Sequence, residues 1–137
     1  EGAVPAPCSR ILRQVGAWLG QYGPSVYEAT DPMPQEWSIL GAFTRKGDTL
    51  YFHCNRYPGD ELAIGGLVCD VKSARLMGGP KLKVTQVRDR VVVSGLPAQA
   101  PDPLDTVIEL RVSGDVRQVL GAGCELLKGD PWRKTEK

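Results

Sequence analysis

The chain has 137 residues, and its 17 Lys and Arg against 16 Asp and Glu leave a formal net charge of +1. Such a balance offers no strong field to a nucleic acid or an anionic membrane, so neither is an expected partner. No apolar run approaches the roughly 18 residues of a membrane span, and no signal peptide is predicted at the start. The hydrophobic fraction of 42% is ordinary for a globular domain.

The first predicted element is an amphipathic helix from Ser9 to Tyr22. Its apolar residues follow the i, i+1, i+4, i+7, i+8, i+11 spacing of one helix face: Ile11, Leu12, Val15, Trp18, Leu19 and Tyr22. We expect Ser9 to be the N-cap, and Gly23-Pro24 to end the helix because proline lacks an amide hydrogen. The stripe carries Trp18, a large aromatic, and therefore needs a substantial surface to pack on.

A proline-containing loop follows, and beyond it the hydrophobic period changes from helical to two. This alternation predicts strands with one side on a core and the other side in water. The clearest examples are Thr49 to Cys54, Lys81 to Thr85, and Thr106 to Val112. Short turns separate such runs at Lys46-Gly47-Asp48, Met77-Gly78-Gly79-Pro80 and Arg88-Asp89-Arg90.

About seven or eight short strands in this pattern predict an all-β fold. We expect an antiparallel β-sandwich of immunoglobulin-like or Greek-key type, preceded by the one amphipathic helix. The sequence divides into a helix and linker over residues 1–34, a β-sandwich over residues 35–121, and a polar tail over residues 122–137.

The sequence contains no pattern that predicts catalysis within this chain. His53, the single histidine, lies in a strand on the expected polar face, and a catalytic base also needs a positioned nucleophile. The carboxylates available for a glycosidase pair lie in turns or at strand ends, where Asp readily bonds its own backbone. They are Asp60, Glu61, Asp102, Asp105 and Asp115. No catalytic residue and no cofactor are expected.

The four cysteines are Cys8, Cys54, Cys69 and Cys124. They form no CxxC pair, so the spacing predicts no zinc or other metal site. Cys54 lies on the core side of its predicted strand, where we expect a small buried hydrophobe. A Cys54–Cys69 disulfide is one pairing open to the chain in an oxidising compartment, and the sequence does not fix the connectivity.

Three aromatic residues could stack on sugar rings, namely Trp37, Tyr51 and Tyr57. Tyr51 shares the expected polar face of its strand with His53, whereas Trp37 and Tyr57 lie in or next to loops. Aromatic residues also supply much of the burial in a small core, so pinning of loops is the competing interpretation.

A series of short motifs runs in order through most of the chain. It begins with Gly2 and Pro5 and continues through Leu12–Leu19, Val26–Thr30, Trp37 and the stretch Phe-Thr-Arg-Lys-Gly-Asp-Thr-Leu-Tyr of Phe43–Tyr51. Further members are Tyr57–Gly59, Gly66-Leu67, Val71–Ala74, Leu96-Pro97 and Pro101–Val107. This succession, over roughly residues 2 to 112, resembles the C-terminal part of glycoside hydrolase family 29 α-L-fucosidases.

The resemblance implies a parent enzyme that hydrolyses terminal α-L-fucose with retention. Its Asp nucleophile and its acid/base residue lie in a (β/α)8-like barrel, and no segment matching the catalytic ones exists here. The helix from Ser9 to Tyr22 is then expected to be the last barrel helix, with its Trp18 stripe against strands that are not in this chain. The implied partners are that barrel and, through it, fucosylated glycans. The resemblance also implies a secreted, periplasmic or lysosomal location.

Three functions are therefore open. The first is an accessory sandwich that supports an α-L-fucosidase barrel and is not catalytic by itself. The second is a carbohydrate-binding module that uses Trp37, Tyr51 or Tyr57. The third is an immunoglobulin-like interaction domain, which needs no barrel but leaves the helix without a purpose.

Overall fold

The computed structural model describes residues 2–35 and 40–119. In these residues, helix α1 spans Ala6–Tyr22 and α2 spans Pro24–Tyr27. The strands are β1 Gly41–Lys46, β2 Thr49–Cys54, β3 Glu61–Ile64, β4 Asp70–Leu76, β5 Lys81–Val87, β6 Arg90–Ser94 and β7 Thr106–Ser113. Neither described helix is long and apolar enough to cross a membrane. Trp37, Cys124 and the predicted tail lie outside the described residues, and the predicted division into domains stays a prediction.

The seven strands form one antiparallel sheet in the order β1-β2-β7-β4-β5-β6-β3. Strand β5 passes from one half of the sheet to the other, because Lys81 and Leu82 pair with β4 whereas Lys83–Val87 pair with β6. The sheet therefore curls over itself and encloses the core. Strands β4, β5 and β6 follow one another, and β3 lies beside β6, which is a Greek-key order. The predicted antiparallel sandwich is confirmed.

The core confirms the period-two pattern of the central strands. Leu50 and Phe52 of β2 lie opposite Leu110 and Ile108 of β7, and all four side chains are at most 1% exposed. The expectation for the other face of β2 is wrong, because Tyr51 is only 8% exposed. It lies in a second apolar cluster with Tyr22, Ala29 and Val107. Alternation along a strand does not reveal whether another element covers its polar side.

Helix α1 begins three residues before the predicted start. Pro5 is the N-cap and makes no side-chain capping bond, and a further proline follows in the first turn. Proline is tolerated there because the amide hydrogen it lacks would have no helical partner. The prediction of Ser9 as N-cap is therefore wrong, since its amide already donates to Pro5 O. The helix ends at Tyr22 as predicted, and the Gly23 amide donates to Leu19 O.

The outer edge of β1 is covered by the chain segment that precedes it. The side-chain amide of Gln35 donates to Phe43 O and accepts from Phe43 N, both at 2.8 Å, as a neighbouring strand would. The Asp31 amide donates to Arg45 O at 3.0 Å. These contacts satisfy main-chain groups that would otherwise form an open template for pairing with another chain.

Gly41 lies where β1 passes close to β2. A Cβ atom at this position would be 2.1 Å from His53 O and 2.7 Å from Phe52 Cζ. We expect Gly41→Ala to lower the free energy of unfolding by about 2–3 kcal/mol, since the backbone must shift to admit the methyl group. Urea denaturation measures the difference.

The matched control is Gly16→Ala in α1, where a Cβ atom meets nothing within 4 Å. Alanine has a higher helix propensity than glycine, so this variant should gain up to about 1 kcal/mol. Equal stabilities of the two variants would contradict the close approach of β1 to β2.

Candidate functional site

The C-terminal end of α1 lies on the outer face of the sheet, over β2 and β7. Trp18 and Tyr22 pack against the cluster that contains Tyr51 and Val107. The rings of Trp18 and Tyr22 contact each other with centroids 5.4 Å apart. Burial, and the Asp102 carboxylate second, raise the pKa of the Tyr22 hydroxyl.

A chain of hydrogen bonds joins the two helices to three strands or strand ends. Trp18 Nε1 donates to Asp105 O at 2.9 Å, and Asp105 Oδ2 lies 2.8 Å from His53 Nδ1. His53 Nε2 lies 3.0 Å from Thr44 Oγ1, which donates to Ser25 O at 2.6 Å. We call these five residues the seam: Trp18, Ser25, Thr44, His53 and Asp105. They connect α1, α2, β1, β2 and the start of β7.

The direction of the hydrogen bond from Thr44 is fixed by its acceptor. Ser25 O is a main-chain carbonyl and can only accept, so the single hydroxyl proton of Thr44 points to it. His53 Nε2 lies on the other side of Thr44 Oγ1, and His53 Nδ1 faces Asp105 Oδ2. The imidazole ring therefore bridges the Thr44 hydroxyl and the Asp105 carboxyl group.

The order Thr44, His53, Asp105 resembles a hydrolytic triad but has the opposite polarity. In a triad the hydroxyl gives its proton to the imidazole, whereas here it gives that proton to a main-chain carbonyl. The side chains of His53 and Asp105 are 12% and 22% exposed, and the Trp18 ring centroid lies 6.2 Å from that of His53. The geometry suits attachment of the helix and not activation of a nucleophile.

The seam corrects one sequence interpretation and shows what sequence reasoning missed. Asp105 is not used by its own turn, whereas Asp102 is, because its carboxylate accepts from the Leu104 amide at 2.8 Å. Thr44 and His53 could have been paired from the sequence, since the tight turn after β1 places them on one face of adjacent strands. No local signal indicated Asp105, which is 52 residues from His53.

The apolar stripe of α1 divides into two parts with different surroundings. Trp18 packs on this chain's own sheet, contrary to the expectation that it meets strands from elsewhere. Ile11 and Leu12 remain 56% and 61% exposed, and Val15 is 41% exposed. Leu104 is 49% exposed and shares a shallow cleft with Val15 and Trp18. We call Ile11, Leu12, Val15 and Leu104 the open apolar face.

The first three turns of α1 project from the sandwich. Every residue from Ala6 to Ala17 is exposed except Ser9, which is half-buried. Helices shorter than about 12–15 residues are marginal in water, and most helical stability in proteins comes from packing of an apolar face. The open apolar face therefore has the character of a surface that another protein part covers.

The predicted sugar-contacting residues are not gathered in one place by the described structure. Tyr51 is in the cluster beneath the helix, and burial raises its pKa. Tyr57 lies in the connection after β2, and its hydroxyl donates to Pro97 O. Trp37 lies outside the described residues. Contact of any of these three residues with sugar stays a prediction.

Cys8, Cys54 and Cys69 are free thiols, so the Cys54–Cys69 pairing is not formed. Burial raises the pKa of Cys54 to about 12 and that of Cys69 to about 11. Both buried side chains therefore behave as small apolar groups at neutral pH. Across residues 2–35 and 40–119, no three His, Cys, Asp or Glu residues form a group that could hold a metal ion.

Solved structures with the same fold are α-L-fucosidases. Isoenzyme 1 from Paenibacillus thiaminolyticus is 32% identical, with a TM-score of 0.65 over 82% of this chain and 28% of that chain. The chain is related to the α-L-fucosidases. The Thermotoga maritima α-fucosidase shares the fold at 22% identity, with a TM-score of 0.62 over 80% of this chain and 28% of that chain. The Vibrio sp. strain EJY3 enzyme is 21% identical, with a TM-score of 0.66 over 86% of this chain and 22% of that chain.

The chain thus spans less than a third of the length of each of these α-L-fucosidases. No family profile matches it, and a comparison with curated proteins gives no match. The resemblance inferred from the ordered motifs is confirmed.

The seam predicts a specific pattern of stability. We expect His53→Leu to lower the free energy of unfolding by about 2–4 kcal/mol, because the mostly buried Asp105 carboxylate loses its partner. The double variant His53→Leu with Asp105→Leu should be more stable than His53→Leu, since apolar side chains can replace a buried pair at little cost. Chemical denaturation of both variants measures the difference. A double variant that is no more stable than His53→Leu would contradict the pairing.

Proposed function

We propose that the chain is the non-catalytic β-sandwich domain of an α-L-fucosidase and that it docks on the catalytic barrel through the open apolar face. The single observation that carries this is the exposure of Ile11, Leu12 and Val15 on a helix whose other end is fixed to the sandwich. The similarity to a minor part of the fucosidase chains supports the proposal.

The physical advantage of docking is the removal of apolar surface from water. Burying an exposed aliphatic side chain completely contributes about 1.5–3 kcal/mol, so three partly exposed ones contribute several kcal/mol in a close fit. Leu104 adds a fourth contact from the loop that precedes β7. Its main chain is anchored to the carboxylate of Asp102, which keeps the apolar side chain beside the helix.

The seam gives this interface its orientation. Trp18 and Ser25 fix the helical segment at two points, one on each side of the Gly23 junction. A barrel that contains or contacts α1 then acquires a defined position relative to the sandwich. The function of the domain in this account is to cover barrel surface and keep the parent enzyme folded. The hydrolysis of fucosides takes place elsewhere.

A chimaeric enzyme tests the proposal. In it, this chain replaces the corresponding segment of the Paenibacillus thiaminolyticus α-L-fucosidase. We expect a folded enzyme that hydrolyses 4-nitrophenyl α-L-fucoside. In that chimaera, Leu12→Asp should cost about 3 kcal/mol or more, because docking would bury an unpaired carboxylate. Thermal unfolding and residual activity after heating report the loss.

Arg13→Asp is the matched control, because Arg13 is exposed on the same turn but lies off the apolar stripe. It should leave the thermal stability nearly unchanged. A folded chimaera without activity, or equal behaviour of the two Asp variants, would overturn the proposed docking.

A further inference from the structure

The outer face of the sheet has a covered half and an open half. The covered half carries Tyr51 and Val107 beneath the helical segment. The open half, on β7, β4 and β5, carries exposed basic residues, namely Arg75, Lys81, Lys83 and Arg111. We call these four residues the basic face. Glu109 is the acidic residue of these three strands that lies among them, so the face is basic although the chain as a whole has a net charge of +1.

The pairing of the strands brings these charges close together. Arg75 lies directly opposite Lys81, and such pairs have Cβ atoms about 4.5–5.5 Å apart. Lys83 follows Lys81 on the same side of β5, at a spacing of about 7 Å. Arg111 lies opposite Ser73, one position along the same face from Arg75. Like charges placed opposite each other destabilise a sheet, so this arrangement is not explained by stability.

The described chain neutralises these charges poorly. Arg75 lies 3.9 Å from Glu109 and donates to Gly79 O at 3.0 Å. Lys81, Lys83 and Arg111 make no ion pair with any residue in the described ranges. A ligand with several negative groups would relieve the repulsion and gain charge-assisted hydrogen bonds, for which an Arg fork is well shaped.

We propose that the basic face binds an anionic polysaccharide, that is, a glycan that carries carboxylate or sulfate groups. The choice of a glycan rests on the proposed function, because a fucosidase domain works beside carbohydrate. Each negative group along an extended sugar chain can lie against one cation of the basic face. The domain would then hold charged glycan near the parent enzyme without contacting the fucosyl bond.

A nucleic acid fits this face less well. Single-stranded binding relies on aromatic side chains that stack on bases, and strands β4, β5 and β7, which carry the basic face, contain no aromatic residue. Reading a duplex requires an element that enters a groove, whereas the basic face lies on the broad outer surface of a sheet. Duplex DNA is therefore a competitor in the test and not the proposed ligand.

The test is a calorimetric titration of the full chain with dextran sulfate at low ionic strength, with neutral dextran alongside. We expect binding of dextran sulfate alone, weakened by added salt. The double variant Lys81→Gln with Lys83→Gln should weaken binding about tenfold. The matched control, Arg10→Gln with Arg13→Gln, removes the same charge from exposed positions on α1 and should change affinity less than about twofold.

Four results would overturn the proposal. They are no binding of dextran sulfate, binding of neutral dextran as tight as that of dextran sulfate, binding of short duplex DNA as tight as that of dextran sulfate, and equal losses of affinity in the two double variants. These outcomes are separate from those of the chimaera. If the chimaera is active but the chain does not bind dextran sulfate, only the proposal about the basic face is refuted. An inactive chimaera with selective dextran sulfate binding refutes the proposed docking alone.

Discussion

The structure depends on Asp105, which joins the helical segment to the sheet with two different groups. Its main-chain oxygen accepts from the Trp18 indole, and its carboxylate meets the His53 imidazole. The second carboxylate oxygen is buried and has no hydrogen-bond partner in the described structure. Buried polar groups are costly unless they are satisfied, so this junction must keep the contacts that its other atoms make and their geometry. The helix is therefore attached at a definite place.

That attachment decides which surfaces the molecule presents. Trp18 and Tyr22 pack on the sheet, whereas the apolar residues earlier on the same helix remain exposed. Because the helical segment covers Tyr51 and Val107, the open part of the same sheet face is left with its basic residues. An exposed apolar surface and a charged face both follow from where the helix lies. Neither surface requires chemistry within the chain.

The sequence predicted what depends on local patterns. Strand β2 has the predicted bounds, and its turn to β1 forms at Gly47, which has a φ of +56°. A left-handed residue at a two-residue turn favours glycine, so this signal is local and physical. The family resemblance of the same stretch also came from sequence alone.

What depends on tertiary contact was not predictable in the same way. Tyr51 was expected on a polar face, and a helix that lies more than twenty residues earlier covers it. Asp105 was assigned to its turn, and it serves a histidine from another strand. The predicted start of α1 is wrong because Ser9 is a good capping residue, whereas a proline at the N-cap and another in the first turn are equally compatible with a helix.

The most direct measurement of this account is amide hydrogen exchange in the variant Trp18→Ala. Loss of the indole bond and of the ring should release the helical segment locally. We predict that amides of residues 19–27 exchange at least about tenfold faster, while those of β2 and β7 keep their protection. Unchanged exchange over residues 19–27, or an equal increase in β2 and β7, would contradict the claim that Trp18 and Asp105 hold the helix on an independently stable sandwich.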